Sequence, residues 1–171
     1  MNHMKRKQYV KPYALLSLIT LAVVLTSACV TAPYVAPQSG PVADLAIRIR
    51  PAQGTGFNLY IYDNPESCSG AKTVIDDAGK INISATKLAA DKLTTFAYSE
   101  VIGNTSCHIN FSFFPNADHV YVLDTVTGRN SCTVRVVDAT DLKKLFAVPV
   151  INRTVNGAMC APLKKIDQTS K

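Results

Sequence analysis

The stretch His119–Asp138 reads HVYVLDTVTGRNSCTVRVVD and contains two runs rich in Val, Tyr and Thr around the segment TGRN at 127–130. β-branched and aromatic residues favour extended strands, in which successive side chains point to opposite faces. A short segment with Gly and Asn between two such runs is typical of a hairpin turn. The stretch therefore predicts an antiparallel hairpin with strands at 119–126 and 131–138.

An alternation with a period of two also runs through the chain between residues 44 and 62. Apolar residues occupy every second position in two short runs, which are Leu45, Ile47 and Ile49, and then Phe57, Leu59 and Ile61. The intervening segment PAQGTG at 51–56 has the composition of a turn, so the two runs predict another hairpin. Further strands are predicted at 81–85, 93–101, 107–114 and 147–154. Pro149 lacks a backbone N–H, which places the last of these strands at a sheet edge.

Two other segments do not alternate in this way. Residues 63–80, which contain Pro and Gly, are predicted as a loop, and Lys87–Lys92 as a single helical turn. About eight short strands in roughly 120 residues, separated by frequent turns, predict an all-β fold. We expect a small antiparallel β-sandwich, immunoglobulin-like or transthyretin-like, with a small closed barrel as the alternative.

Length and charge limit the classes of function. The 171 residues suit one domain plus a leader, and a composition of 47% hydrophobic and 18% charged residues is that of a globular chain. The formal net charge is +6, but four basic residues lie within the first eleven positions. From Cys29 onwards, 14 basic and 12 acidic residues leave a net charge of +2. This surplus is too small for the basic patch of a nucleic-acid-binding protein, so nucleic-acid binding is not predicted.

The first 28 residues have the organisation of an export signal. A basic segment at 1–11 precedes an uncharged apolar run of 12 residues at 14–25. As a helix this run spans about 18 Å, too short for a hydrocarbon core of about 30 Å. The residues that follow, Leu25-Thr26-Ser27-Ala28-Cys29, resemble the lipobox of bacterial lipoproteins, in which small residues precede a Cys.

The lipobox resemblance covers residues 1–29 only, and Thr26 stands where the family usually has Leu. It implies that the thiol of Cys29 receives a diacylglyceryl group and that cleavage then removes residues 1–28. The chain is thereby expected to be anchored to a membrane through this lipid. Val30 is not the Asp that retains some lipoproteins at the inner membrane, so the resemblance implies the outer membrane of the cell envelope.

Three prolines, Pro33, Pro37 and Pro41, recur in the uncharged segment 29–43. Because proline favours extended backbone, we predict that this segment is a tether that reaches at most about 45 Å. The alternative is that part of it packs on the domain. The β-sandwich domain is predicted at 44–164, and a polar tail at 165–171.

Four cysteines, Cys68, Cys107, Cys132 and Cys160, follow Cys29. An exported domain meets an oxidising compartment, so two disulfides are expected. Cys107 and Cys132 both start strands in phase with inward-facing apolar residues, which favours the pairs Cys107–Cys132 and Cys68–Cys160. An up-and-down order of strands would bring all four to the same end of the sandwich. Their spacing contains no CxxC, so no metal site, redox centre or cofactor is predicted.

The sequence offers few candidates for catalysis. His108 alternates with outward-facing polar residues, and His119 begins a strand beside a turn. The carboxylate pair Asp76-Asp77 falls in the predicted loop and is interpreted as a solvated turn. No GxSxG, HExxH or phosphate-loop motif occurs, so no catalytic residue is assigned.

One surface is a candidate for binding an envelope protein partner. If the hairpin at 45–62 forms, Arg48, Arg50, Tyr60 and Tyr62 share its outward side. Tyr and Arg are enriched among the residues that anchor protein interfaces. Ordinary cross-strand packing of Arg on Tyr explains the same pattern and remains an alternative.

The sequence leaves three hypotheses for the function. The leading hypothesis is a membrane-anchored envelope lipoprotein whose sandwich is a non-catalytic binding or assembly module. The second is an inhibitor of an exported hydrolase such as lysozyme, because Ser69-Gly70-Ala71-Lys72 resembles the Ser-Gly-rich loop of small lipid-anchored lysozyme inhibitors. An enzyme of unknown class is the third.

Overall fold

The computed structural model describes residues 31–52, 55–77, 82–128, 131–156 and 159–163. The predicted signal peptide, Cys29 and the polar tail lie outside these ranges. In chain order the strands are β1 (Val42–Arg50), β2 (Gly56–Asn64), β3 (Ser69–Asp77), β4 (Asn82–Ala89), β5 (Thr94–Ile102), β6 (Thr105–Phe113), β7 (Val120–Thr127), β8 (Cys132–Asp138), β9 (Phe146–Ala147), β10 (Ile151–Arg153), β11 (Val155–Asn156) and β12 (Met159–Cys160). The described residues contain no helix.

The strands form two five-stranded sheets, with orders β4-β1-β7-β8-β9 and β10-β6-β5-β2-β3, and a small pair β11-β12. The predicted all-β sandwich is therefore confirmed, and the closed barrel is wrong because two separate sheets form. All pairings between strands are antiparallel except that of β1 with β7, which is parallel. The predicted hairpin at 119–138 is present as β7 and β8.

Three local predictions are wrong. β1 and β2 are not a hairpin, because the turn between them carries the chain from one sheet to the other. The predicted loop at 63–80 contains the edge strand β3, paired along β2. Lys87 lies in β4 rather than in a helical turn, and the chain turns only after Ala89. The last predicted strand is divided into β9 and β10, and each lies at a sheet edge, as Pro149 between them indicated.

The core lies between the sheets, where the inward positions of each strand meet. It includes the aromatic side chains of Phe96, Phe111 and Phe113, which stack with ring centroids 5.4 and 6.1 Å apart. The alternating apolar positions of β1 and β2 are buried as the sequence pattern predicts. Burial of this kind stabilises a domain by about 25 cal/mol per Å² of apolar surface.

The register of the paired strands defines two ends of the sandwich. We call the end with the β2–β3, β4–β5, β6–β7 and β8–β9 turns the Phe114 end, and the opposite one the Glu100 end. The predicted disulfides are present: Cys107–Cys132 joins the starts of β6 and β8 at the Glu100 end, and Cys68–Cys160 lies towards the Phe114 end. The expectation that all four cysteines share one end is wrong, because β3 begins at Ser69 and puts Cys68 in a turn at the other end.

The outer face of the sheet β10-β6-β5-β2-β3 is partly covered by the C-terminal residues, which a buried arginine holds in place. Arg153 donates hydrogen bonds to the backbone oxygens of Pro65, Glu66 and Ala161 and to the hydroxyl of Ser112, at 2.8 to 3.0 Å. Arg153 is only 6% exposed, and desolvation lowers the pKa of its guanidinium. Its donors satisfy polar groups that the covering segment would otherwise leave unpaired.

Part of the predicted tether lies on the domain. Pro33 forms a parallel bridge with Thr73 of β3, supported by hydrogen bonds from the Thr73 N–H to the Ala32 oxygen and from the Tyr34 N–H to the Thr73 oxygen. The hydroxyl of Tyr34 donates to the backbone oxygen of Lys87 at 2.8 Å, and its ring packs against the core. The alternative of a packed segment is therefore correct from Ala32 onwards.

Candidate functional site

The predicted patch of two arginines and two tyrosines does not form. Arg48 and Arg50 lie on β1, whereas Tyr60 and Tyr62 lie on β2 in the other sheet. The physical reason is that β1 pairs with β4 and β7, so its outward face continues onto those strands. Tyr62 is moreover buried beside the Cys68–Cys160 disulfide, which removes it from any docking surface.

The two arginines instead surround a carboxylate that the sequence analysis did not single out. Register places Arg48 of β1, Asp124 of β7 and Arg135 of β8 side by side across three strands. Arg50 is two residues further along β1, and therefore on the same face. We call Arg48, Arg50, Arg135 and Asp124 the arginine cluster.

All three guanidinium groups donate hydrogen bonds to the carboxylate of Asp124. The Arg48 Nε lies 2.9 Å from Oδ1 of Asp124, and the Arg135 Nη2 lies 3.1 Å from Oδ2. The Nη2 of Arg50 bridges both oxygens, at 3.1 and 2.9 Å. Guanidinium groups suit this geometry because each offers five N–H donors in one plane.

Burial differs sharply between the partners. The side chain of Asp124 is 2% exposed, whereas those of Arg48, Arg50 and Arg135 are 46%, 44% and 62% exposed. Desolvation by itself would raise the pKa of Asp124, but the hydrogen bond and charge of Arg48, with the charges of its neighbours, outweigh it and lower the pKa. The carboxylate therefore stays ionised and holds the three arginines in place on the sheet surface.

The cluster carries a surplus of charge that faces solvent. Three cations share one anion, so the group has a net charge of +2, and most of its N–H donors are free of the contacts with Asp124. The C-terminal residues cover part of the outer face of the other sheet. In the part of the chain that the structure describes, no comparable segment covers the face that carries the arginine cluster. An anionic group that approaches can thus accept bidentate hydrogen bonds from guanidinium groups already held in position.

The carboxylate of Glu100 and its four hydrogen-bond donors form a second polar cluster, which is buried at the end of the sandwich opposite Phe114. Its carboxylate accepts hydrogen bonds from the Ala52 N–H at 2.7 Å, the Thr55 hydroxyl at 2.6 Å, the Tyr98 hydroxyl at 2.8 Å and the Thr127 hydroxyl. Burial and the bond to Glu100 raise the pKa of Tyr98 to about 12. Four donors satisfy one fully enclosed carboxylate, so the cluster joins a turn and two sheets rather than serving a ligand.

Both histidines lie in or directly beside the strands where the sequence predicts them, and His119 also contacts the carboxylate of Asp138. His108 is exposed on β6, as its outward phase predicts. His119 Nδ1 lies 2.6 Å from Oδ2 of Asp138, which also borders a groove of about 450 Å³. The other carboxylate oxygen accepts bonds from the N–H and hydroxyl of Thr140, an arrangement that caps the turn after β8. The residues that line this groove include no Ser, Thr, Cys or Lys to act as a nucleophile.

The two remaining candidates lie in β3 rather than in a loop. Asp76 and Asp77 end that strand. Ser69–Lys72 begins it, paired with β2. Gly70 has a φ of +68°, and a Cβ added there would lie 2.9 Å from the Cβ of Asp63, so glycine is required by the close approach of the two strands. The glycine in this motif therefore has a structural explanation.

Neither a metal centre nor a membrane-crossing helix is found within the described ranges. No three His, Cys, Asp or Glu side chains there converge as metal ligands do. The same part of the chain includes no helix able to cross a bilayer. No protein-family model matches the chain, and no curated protein is detectably similar to it.

Proposed function

We propose that this protein is a lipoprotein of the cell envelope, held to the membrane by a lipid on Cys29, whose β-sandwich is a non-catalytic module that binds an acidic partner. Cys29 lies outside the described residues, and the lipobox resemblance is the support for the anchor. The binding role depends on one observation, the net positive arginine cluster on an open sheet face.

The chemistry of the cluster defines what the partner must present. Carboxylate or phosphate groups match the planar donors of arginine and gain from charge-assisted hydrogen bonds. Because the guanidinium groups are ordered by Asp124 before binding, less side-chain entropy is lost on association. An envelope protein with an acidic segment is the partner that fits this face and the expected location.

A double variant can neutralise the surplus positive charge of the arginine cluster while the fold is kept. Arg50→Gln with Arg135→Gln leaves the Arg48–Asp124 pair intact and brings the net charge of the cluster to zero. We expect affinity for an acidic partner to fall at least about tenfold, since each charge-assisted bond is worth about 1.5–3 kcal/mol. The measurement is titration calorimetry against a partner identified by cross-linking to the wild-type face.

A control variant separates this surface from net charge. Lys72→Gln with Lys87→Gln removes the same two charges, but from lysines that pair with Asp63 and Asp44 outside the cluster. This variant should bind as the wild type does. Equal losses of affinity in both double variants would show that general electrostatic attraction, and not the arginine cluster, retains the partner.

A further inference from the structure

Exposed apolar side chains are concentrated at one end of the sandwich. Of eleven large hydrophobic residues that are exposed in the described part of the chain, eight lie at the Phe114 end or in its turns. They are Val35, Phe114, Val120, Leu142, Leu145, Phe146, Ile151 and Leu163. Such an uneven distribution on a small domain marks an interaction surface.

Several of these residues are neighbours around Phe114. Phe114 borders an open groove of about 610 Å³ together with Val35, Ile151 and Leu163. It also borders the smaller groove beside Phe146. Five of the eight side chains thus border two grooves that share Phe114, and we call all eight the apolar rim.

The path of the chain into the domain connects this end with the predicted lipid. Three peptide units separate Cys29 from Ala32, so their Cα atoms are at most about 11 Å apart. Ala32 is fixed to the domain by its bond from the Thr73 N–H. The bridge at Pro33 is parallel to β3, and β3 runs from the Phe114 end, so at Ala32 the chain arrives from the side of that end.

We infer that the apolar rim is a membrane-contact surface, and that the lipid on Cys29 seats the Phe114 end in the interface of the bilayer. The inference rests on the proposed lipid anchor. A link of about 11 Å is far shorter than the predicted tether of about 45 Å and cannot hold the domain clear of the headgroups. Apolar side chains at this end then gain burial at the boundary of headgroups and acyl chains.

The charges at this end indicate which lipids are needed. Exposed residues of both signs lie in its turns, namely Lys92, Lys143 and Lys144 with Glu66, Asp91, Asp118 and Asp141. Among the described residues of these turns, positive charge does not exceed negative charge, so these residues supply no net attraction to anionic lipids. Contact is therefore expected on zwitterionic phosphatidylcholine and is expected to be insensitive to salt.

The absence of tryptophan from the sequence allows a direct test. Phe114→Trp places one tryptophan in the apolar rim, and Val101→Trp places one at the Glu100 end, at sites that are 58% and 57% exposed. Each lipid-modified protein is inserted into phosphatidylcholine vesicles with and without brominated acyl chains. We expect a blue-shifted emission from residue 114 that brominated lipid quenches severalfold more strongly than emission from residue 101.

The other outcomes overturn the inference in distinguishable ways. If the protein floats with the vesicles but neither tryptophan is quenched, or both are quenched equally, the anchor stands and the seating of the Phe114 end is wrong. A blue-shifted emission from residue 114 that brominated lipid does not quench means that another copy of the chain, and not lipid, covers this end. This result also overturns the inference. If the purified protein carries no lipid and does not float, the proposed function fails first, and this inference fails with it.

Discussion

Replacement of both Cys68 and Cys160 by alanine is expected to lower the free energy of unfolding by about 4–5 kcal/mol. The disulfide joins residues 92 positions apart, so it greatly restricts the unfolded chain. In the folded state it also fastens the C-terminal segment next to the donors of Arg153. Urea denaturation, with the slope compared between variants, measures the loss.

The second disulfide is the matched control. Cys107→Ala with Cys132→Ala removes a link over only 25 positions, and its expected cost is about 3–3.5 kcal/mol. The difference of about 1 kcal/mol comes from loop length alone. A smaller loss for the Cys68–Cys160 variant than for the control would contradict this dependence of disulfide stabilisation on loop length.

Glu100→Leu is expected to destabilise the domain by about 4 kcal/mol. Leucine fills a similar volume but removes the acceptor of the Tyr98 and Thr127 hydroxyls and of the Ala52 N–H, whereas the Thr55 hydroxyl keeps the Ala52 backbone oxygen as an acceptor. Each buried donor left unpaired costs about 1–3 kcal/mol, part of which relaxation recovers. Glu100→Gln keeps an acceptor in the same place and should cost about half as much. Chemical denaturation at neutral pH distinguishes the two variants.

The same residue gives the stability of the domain a pH dependence. Burial would raise the pKa of Glu100, but the bonds from Thr127, Thr55, Tyr98 and Ala52 outweigh it and hold the pKa below its ordinary value of 4.5. The unfolded state therefore binds the proton more readily than the folded state. The stability that ionised Glu100 contributes is complete above pH 4.5 and is lost as the pH falls through the folded-state pKa. Between pH 6 and pH 3 the wild type should lose more stability than Glu100→Leu, and parallel losses would contradict this assignment.

The sequence predicted the features that depend on local phase. The alternation in β1, β2 and β8 identified their buried faces, and the inward phase of Cys107 and Cys132 selected the correct disulfide pairing. β3 was missed because Ser69–Asp77 is an edge strand with little apolar alternation and with Gly70 near its start. The register of β3 also shifts, because Val74 has no partner in β2 between the pairs Leu59–Ile75 and Tyr60–Thr73.

The arginine cluster depends on contacts that sequence phase does not determine. Arg48 and Arg50 were recognised as outward-facing, but Asp124 is 76 residues from Arg48 and reaches it only through the parallel pairing of β1 with β7. No hairpin signal predicts such a pairing. Two features of the sequence nevertheless point to these buried carboxylates. Asp124 is a lone carboxylate between Val122 and Val126 on one face, and Glu100 is in phase with buried Phe96 and Tyr98.

The proposed function requires a lipid on Cys29, and the structure pairs the other four cysteines in two disulfides. The intact mass of the non-reduced protein purified from bacterial envelopes tests both parts together. We expect a chain that begins at Cys29, carries acyl chains and lacks the four thiol hydrogens. A chain that keeps residues 1–28, or one that begins at residue 29 with a free thiol there, would contradict it.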